Sequence, residues 1–187
     1  MRRPGGRTAQ TSEKVFDAVF DLLIEGGYEA VTFQAVAERA NVGRATIYRR
    51  WTDSGSLVAE AVRARAAEQI VTSDTGSLRS DLKDVLGQIV RFISSPIGRA
   101  ALLASFGDQN HDSDALPHEA RWATRWRDIE PIFERAKARG ELRAGMDTEM
   151  LFAQLAGAIY FRLFVIADLP NEGWIERILD HALPRAS

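Results

Sequence analysis

The chain has 187 residues, of which 45% are hydrophobic and 27% charged, and carries a formal net charge of −2. That length and balance suit one large or two small domains with a real core, and exclude disordered, collagen-like and low-complexity classes for the bulk. There is no cysteine, which excludes a disulfide framework, zinc–thiolate sites and a thiol nucleophile. The opening MRRPGGRTAQ has no apolar core of the kind a signal peptide needs. The longest apolar stretch, Leu151 to Ala167, contains Gln154 and Arg162. An arginine near a bilayer centre costs about 2.5–3.5 kcal/mol, so this stretch does not read as a membrane span. A cytoplasmic protein without membrane contact is expected. Charge is uneven: residues 1–65 balance at +2 and the remainder at −4. A basic front permits a nucleic-acid surface there without demanding one.

Helical periodicity runs through the whole chain. From Ser12 to Glu25, apolar residues fall at Val15, Val19, Leu22 and Leu23, and Gly26-Gly27 ends that helix. Thr32 is placed to cap a short helix over 33–40, and Asn41-Val42-Gly43 separates it from a third over 44–51. A fourth helix follows Thr52-Asp53-Ser54 to about Val71, a fifth follows Ser77 to about Ile93, and Ser95-Pro96 opens a sixth to about Phe106. The polar stretch 107–117 reads as a loop. Pro117 opens a seventh helix, with Pro131 as a kink point and Gly140 as its stop. Asp147 caps an eighth to about Ala167, and Asn171 a ninth ending before Pro184. The expected fold is all-α with about nine helices. Its expected divisions are a flexible basic arm (1–10), a helix-turn-helix domain (11–53) and a helical domain (54–187).

The informative segment is TFQAVAERANVGRATIYRRW, residues 32–51. Two short helices joined by a three-residue turn make a helix-turn-helix. Ala37 is small where the helices approach, and Val36, Ala40, Val42 and Ile47 are spaced to form their shared apolar wedge. Asn41 tolerates a left-handed backbone at the exit of the first helix. The second helix offers Arg44, Arg49 and Arg50 within two turns, and arginine pairs bidentately with guanine in the major groove. Thr32, Thr46 and Tyr48 offer hydroxyls to phosphates. The bare pattern also fits a plain helical hairpin with a solvated basic face.

The opening helix with GGYEAVTF, the block VAERANVGRATIYRRW and the apolar start of the fourth helix at Leu57-Val58 resemble the TetR family of transcriptional regulators. The stretch RAKARGELRAGMDTEM (135–150) and the apolar helix after it are similar to one branch of that family. The resemblance implies a three-helix DNA-binding domain, a fourth helix leading to a helical ligand-binding domain, and a homodimer on a pseudo-palindromic double-stranded operator. Carried over by position, Arg44 and Ala45 face bases, Thr46, Tyr48 and Thr32 meet phosphates, and Arg50 touches bases or backbone; Arg49 is exposed on the same helix. The family commonly places a phosphate-gripping lysine near the start of the fourth helix, and this chain has Ser54 there, followed by Gly55. The load then falls on Ser54 with the helix dipole, or on Arg2, Arg3 and Arg7 of the arm entering a minor groove.

The same resemblance puts dimerisation on the last two helices, with Leu155, Ile159, Leu163, Trp174 and Ile178 as interface residues. Phe92, Trp122, Trp126, Phe133 and Phe152 are the candidate lining of an effector pocket, though each also suits an ordinary core. Such a lining implies a small, mostly apolar effector, whose binding releases a repressor from DNA.

No phosphate loop, nucleophile elbow or zinc motif marks an enzyme, and no cofactor is expected. Asp108, His111, Asp112, Asp114, His118 and Glu119 cluster within twelve residues, but their spacing matches no calcium loop, so no metal site is assigned. The alternative function is a helical dimer that binds a ligand or protein partner without specific DNA binding.

Overall fold

Local capping chemistry sets most of the helix boundaries. In the computed structural model residues 6–100 and 118–183 are described, with side chains over 9–100 and 125–183. Helix α1 spans Gly6–Gly26, α2 Phe33–Arg39, α3 Arg44–Arg50, α4 Ser54–Gln69 and α5 Leu78–Ser94. A helical run over 96–100 is α6. Then come α7 His118–Ala138, α8 Thr148–Phe164 and α9 Glu172–Ala182. A single 3-10 turn, Tyr28–Ala30, is the other regular element, and no strand occurs among the described residues.

The expected caps form. The Thr32 hydroxyl accepts from the Ala35 amide at 3.1 Å, Asp147 Oδ1 from Met150 at 2.9 Å and Asn171 Oδ1 from Trp174 at 2.9 Å. Each satisfies one of the amides that a helix start leaves without an intrahelical partner. At the start of α4 the cap is Asp53, whose Oδ1 accepts from the Ser56 amide at 2.7 Å. After α1 the chain turns sharply: Gly27 has φ 70°, and a Cβ on Gly26 would lie 2.8 Å from the Ala30 Cβ. The Gly26-Gly27 pair therefore answers two separate demands, one for a left-handed backbone and one for space.

Two boundaries differ from expectation. Helix α1 begins at Gly6, so part of the anticipated arm is helical; Arg2 and Arg3, and the side chain of Arg7, lie outside the described residues. Helix α8 ends at Phe164, and the chain then passes through Ala167 at φ 58°. Helix α7 continues through Pro131, which is exposed.

The described residues form two compact units, 6–68 with 95–100, and 69–94 with 118–183. The boundary therefore falls after α4 and not before it. Leu57, Val58 and Ala61 of α4 are buried in the same cluster as Val15, Val19 and Leu23 of α1 and Val36 and Ile47 of α2 and α3. Ile97 and Ala100 of α6 pack against that cluster.

The second unit packs α5, α7, α8 and α9 around Leu82, Leu86, Ile132, Phe133, Leu155, Ile159 and Leu179, all buried. Charge also fastens α9 to α5. Glu176 accepts from Lys83 at 2.8 Å and from Arg79 at 2.7 Å, and Arg79 reaches Asp180 at 2.6 Å. Lys83 first, then Arg79, hold the Glu176 carboxyl below its usual range. A lowered carboxyl pKa adds stability above the unfolded value, about 4.3 for glutamate. That stability is lost as pH falls through the lower folded value. A wild-type chain should therefore melt above its Glu176→Gln variant at neutral pH, and the gap should close as pH falls below about 4. A gap that does not change with pH would remove this ion cluster from the account. Because the cluster is partly exposed, salt should shrink the gap too.

Candidate nucleic-acid interface

Between α2 and α3 the chain makes its turn by a Schellman motif. Asn41 takes φ 52° and donates to the Glu38 carbonyl at 3.2 Å, while the Val42 amide donates to Ala37 at 3.0 Å. These two bonds satisfy carbonyls at the end of α2 and aim the chain into α3. Val36, Ala37, Ala40 and Ile47 are buried as the wedge between the helices, and Val42 packs against it. Arg39 forms a two-pronged pair with Glu25 at 2.8 and 2.6 Å, which ties α2 to α1 and holds the Glu25 carboxyl below its usual range.

With its wedge face buried, α3 presents Arg44, Ala45, Tyr48 and Arg49 to solvent. Tyr48 is 64% exposed, and its ring stands edge-on to Phe33 with centroids 4.9 Å apart. Phe33 thus fixes the phenol without covering it, a support that the sequence reading did not assign. Arg44 pairs loosely with Glu38 at 3.2 Å, both side chains being more than half exposed. Thr46 is half-buried, and exposed Thr32 uses its oxygen as the α2 cap while its hydroxyl proton stays free to donate outward. Ser54, half-buried, is the first residue of α4.

Arg50, expected to touch bases or backbone, is exposed but also engaged within its own unit. Its guanidinium bonds Ser12 of α1, pairs with Glu60 of α4 at 2.9 Å, and lies 4.7 Å from the Trp51 ring centre. Adjacent helix positions point about 100° apart, so Arg50 reaches Ser12 and Glu60 while staying 35% exposed, and Arg49 is exposed on another side of the helix.

Of the candidate effector lining, Trp126, Phe133 and Phe152 come together in the second unit. Trp126 stacks on Phe133 at 5.5 Å, and Phe152 meets both rings at 6.4 Å. Phe133 and Phe152 are buried, as is Phe92 on α5. The Trp122 side chain lies outside the described residues. The three rings fill one another's space and act here as core. Elsewhere on α8, burial pushes the Tyr160 phenol up, against the opposing charge of Arg125 on α7.

Two of the anticipated interface residues need correction. Leu155 and Ile159 are buried in the chain's own core at 2% and 0% exposure, so they do not present a surface to a second copy. Leu163, Trp174 and Ile178 are half-buried, with Trp174 under the Arg162 guanidinium at 5.3 Å. The outward face of α8 instead carries Met150, Gln154, Gly157, Phe161 and Phe164, at i, i+4, i+7, i+11 and i+14. Met150 and Phe161 are each 55% exposed, and Val165, Ile166 and Leu169 extend the apolar surface beyond the helix.

No group of three acidic or histidine side chains suited to a metal ion occurs among the described residues. Asp108, His111, Asp112 and Asp114, and the side chains of His118 and Glu119, lie outside them. No described helix is long and apolar enough to cross a membrane.

A buried wedge, a Schellman turn and an arginine-bearing exposed second helix define a helix-turn-helix DNA-binding unit, here in an all-α chain with a second helical unit. Residues 15–61 match the model of the tetR family of bacterial regulatory proteins, and residues 72–182 match that of tetracyclin repressor-like C-terminal domains. The chain belongs to the TetR family of helix-turn-helix transcriptional regulators. It is 32% identical to the HTH-type transcriptional regulator AqdR of Rhodococcus erythropolis, over 82% of this chain and 74% of that one. It is 28% identical to the HTH-type transcriptional regulator YdeS of Bacillus subtilis (strain 168), over 97% of this chain and 92% of YdeS. The crystal structure of a TetR family transcription regulator superposes with a TM-score of 0.72 at 24% identity, covering 94% of this chain and all of the other.

Proposed function

We propose that this regulator is a cytoplasmic homodimeric repressor that reads a pseudo-palindromic operator and is released by a small, mostly apolar effector, without catalysis. The observation that carries the reading is the outward face of α3, where Arg44, Ala45, Tyr48 and Arg49 stand clear of a firmly packed wedge. Arg44 and Arg49 are the base readers, while Tyr48, Thr46, Thr32 and Ser54 position the backbone. A second copy covers the outward face of α8, where exposed Met150, Phe161 and Phe164 flank Gln154 and small Gly157, which lets a partner helix approach closely. Two-fold symmetry then spaces two copies of α3 on two half-sites. The effector binds in the second unit by parting Trp126, Phe133 and Phe152, which pack on one another in its absence. It acts only to the extent that it prefers the conformation that does not bind DNA.

The test is selection of bound duplexes from a random pool at about physiological salt, where phosphate attraction alone does not dominate. Enrichment of one palindrome supports the reading. Failure to enrich any sequence, repeated after unfolding and refolding to strip a bound effector, favours a dimer that binds a partner without reading DNA. Replacing Phe161 and Phe164 by glutamate should convert dimer to monomer in sedimentation and abolish palindrome selection while leaving helicity unchanged. A variant that remains dimeric moves the interface elsewhere.

A further inference from the structure

The strongest unassigned arrangement in the first unit joins the far end of the recognition helix to α4 through one carboxylate. Glu60 Oε1 accepts from Arg50 Nη2 at 2.9 Å, and Glu60 Oε2 accepts from the Trp51 indole N–H at 2.7 Å. Arg50 is the last residue of α3, and Trp51 is its C-terminal cap. The second prong of Arg50 bonds Ser12 on α1. Trp51 is buried, with the Arg50 guanidinium at 4.7 Å from its ring centre and Phe16 of α1 edge-on at 6.3 Å. By contrast, the first turn of α3 is held by the packing of buried Ile47, and its ion pair among the described residues, Arg44–Glu38, is exposed and of a kind that is weak.

We propose that Glu60 is a positioning residue for operator binding: it holds the end of α3, through Arg50 and Trp51, at the angle from which Arg44 and Arg49 reach the bases. Both of its oxygens are engaged, so a rotation or slide of α4 carries the end of α3 with it. Arg50 serves the same clamp and does not read DNA. The proposal rests on the DNA-reading function argued above, and it goes beyond it by making α4 and α3 one mechanical piece.

Electrostatics alone makes the opposite prediction. A carboxylate beside a DNA-binding helix repels phosphate, so its removal would tighten binding. The clamp requires the reverse for specific binding. We would titrate the selected operator and a scrambled duplex with the full-length protein and with Glu60→Ala, Arg50→Ala, the double variant and Arg50→Lys. Expected is a loss of roughly tenfold in operator affinity for each single alanine variant, and no further loss in the double, because both break one network. Arg50→Lys retains the charge but loses the planar fork that spans Ser12 and Glu60 and lies over Trp51, so it should fall with the alanine variants. The salt slope should stay as in wild type, since losing a phosphate contact would change it by about one. Tighter or unchanged operator binding by Glu60→Ala overturns the proposal. Additive losses, a reduced slope for Arg50→Ala, or wild-type binding by Arg50→Lys would do the same. Glu60→Gln, which retains an acceptor, replaces Glu60→Ala if circular dichroism shows the latter unfolded, with a smaller loss expected. A wild-type protein that selects no sequence defeats the functional reading itself, an outcome separate from intact selection by Glu60→Ala.

Discussion

Replacing Arg44 and Arg49 together by alanine should erase the difference between operator and scrambled DNA while leaving the fold and the dimer intact. Each arginine that pairs bidentately with guanine contributes about 1–3 kcal/mol of discrimination, so the pair accounts for about 2–6 kcal/mol per half-site, and two half-sites together match a specific complex's margin of about 4–10 kcal/mol. Both side chains are available. Arg44 leaves only an exposed pair with Glu38 at 3.2 Å, worth about 0–1 kcal/mol. Arg49 is exposed with no ion-pair partner among the described residues. Neither contributes to the wedge around Ile47, so thermal unfolding should be unchanged. Anisotropy titrations of both duplexes over a salt series separate two outcomes. Loss confined to the operator identifies base reading. Equal weakening on both duplexes, with a shallower salt slope, would reduce these residues to phosphate contacts.

The second large effect is on stability. Asp81 in α5 is fully buried, and its Oδ1 accepts from the Thr75 amide at 2.7 Å and the Thr75 hydroxyl at 2.6 Å. Its Oδ2 lies 3.6 Å from Arg139 and 3.8 Å from Arg135, close enough for charge attraction but without a hydrogen bond. Breaking a buried pair by removing one partner typically costs 3–5 kcal/mol. The arginine side chains here are about a quarter exposed, so Asp81→Ala should lose about 3 kcal/mol, the low end of that range. Asp81→Asn, which keeps an acceptor for Thr75, should lose less. Denaturant unfolding reads both, and a loss under about 1 kcal/mol would show that solvent already shields the arginines. The consequence extends along the segment after α4. Gln88 grips Val71 at both its amide and its carbonyl, at 2.7 and 2.9 Å, Asp84 accepts from the Ser73 hydroxyl at 2.6 Å, and Arg135 reaches the Ser73 carbonyl at 2.6 Å. Loss of Asp81 should therefore raise hydrogen exchange at Val71 and Thr75 first.

The clearest signals in the sequence were those whose physics spans one helical turn. Thr32, Asp147 and Asn171 cap helices three residues downstream, and Asn41 and Gly140 take left-handed backbones, at φ 52° and 74°, that few other residues accept. The apolar period of α1 likewise predicted its buried face, since Val15, Val19, Leu22 and Leu23 are all in the core. Asp81 gave no such signal. Its partners come from a turn six residues back and from a helix more than fifty residues on.

Local hydrogen bonding and helical periodicity, both written in neighbouring residues, determined from sequence alone an all-α chain with a helix-turn-helix and an arginine-bearing second helix. Tertiary structure decided which side of each helix does the work. Arg49 and Arg50 are chemically identical and adjacent, and Ser12 and Glu60, brought together by packing, engage Arg50 within its own unit. Helix α8 is apolar on more than one face, so periodicity could not tell Leu155 and Ile159, which meet their own core, from Met150 and Phe161, which face outward. A side chain's composition states what it can bind, but its direction depends on partners distant in sequence, and these exist only once the chain has folded.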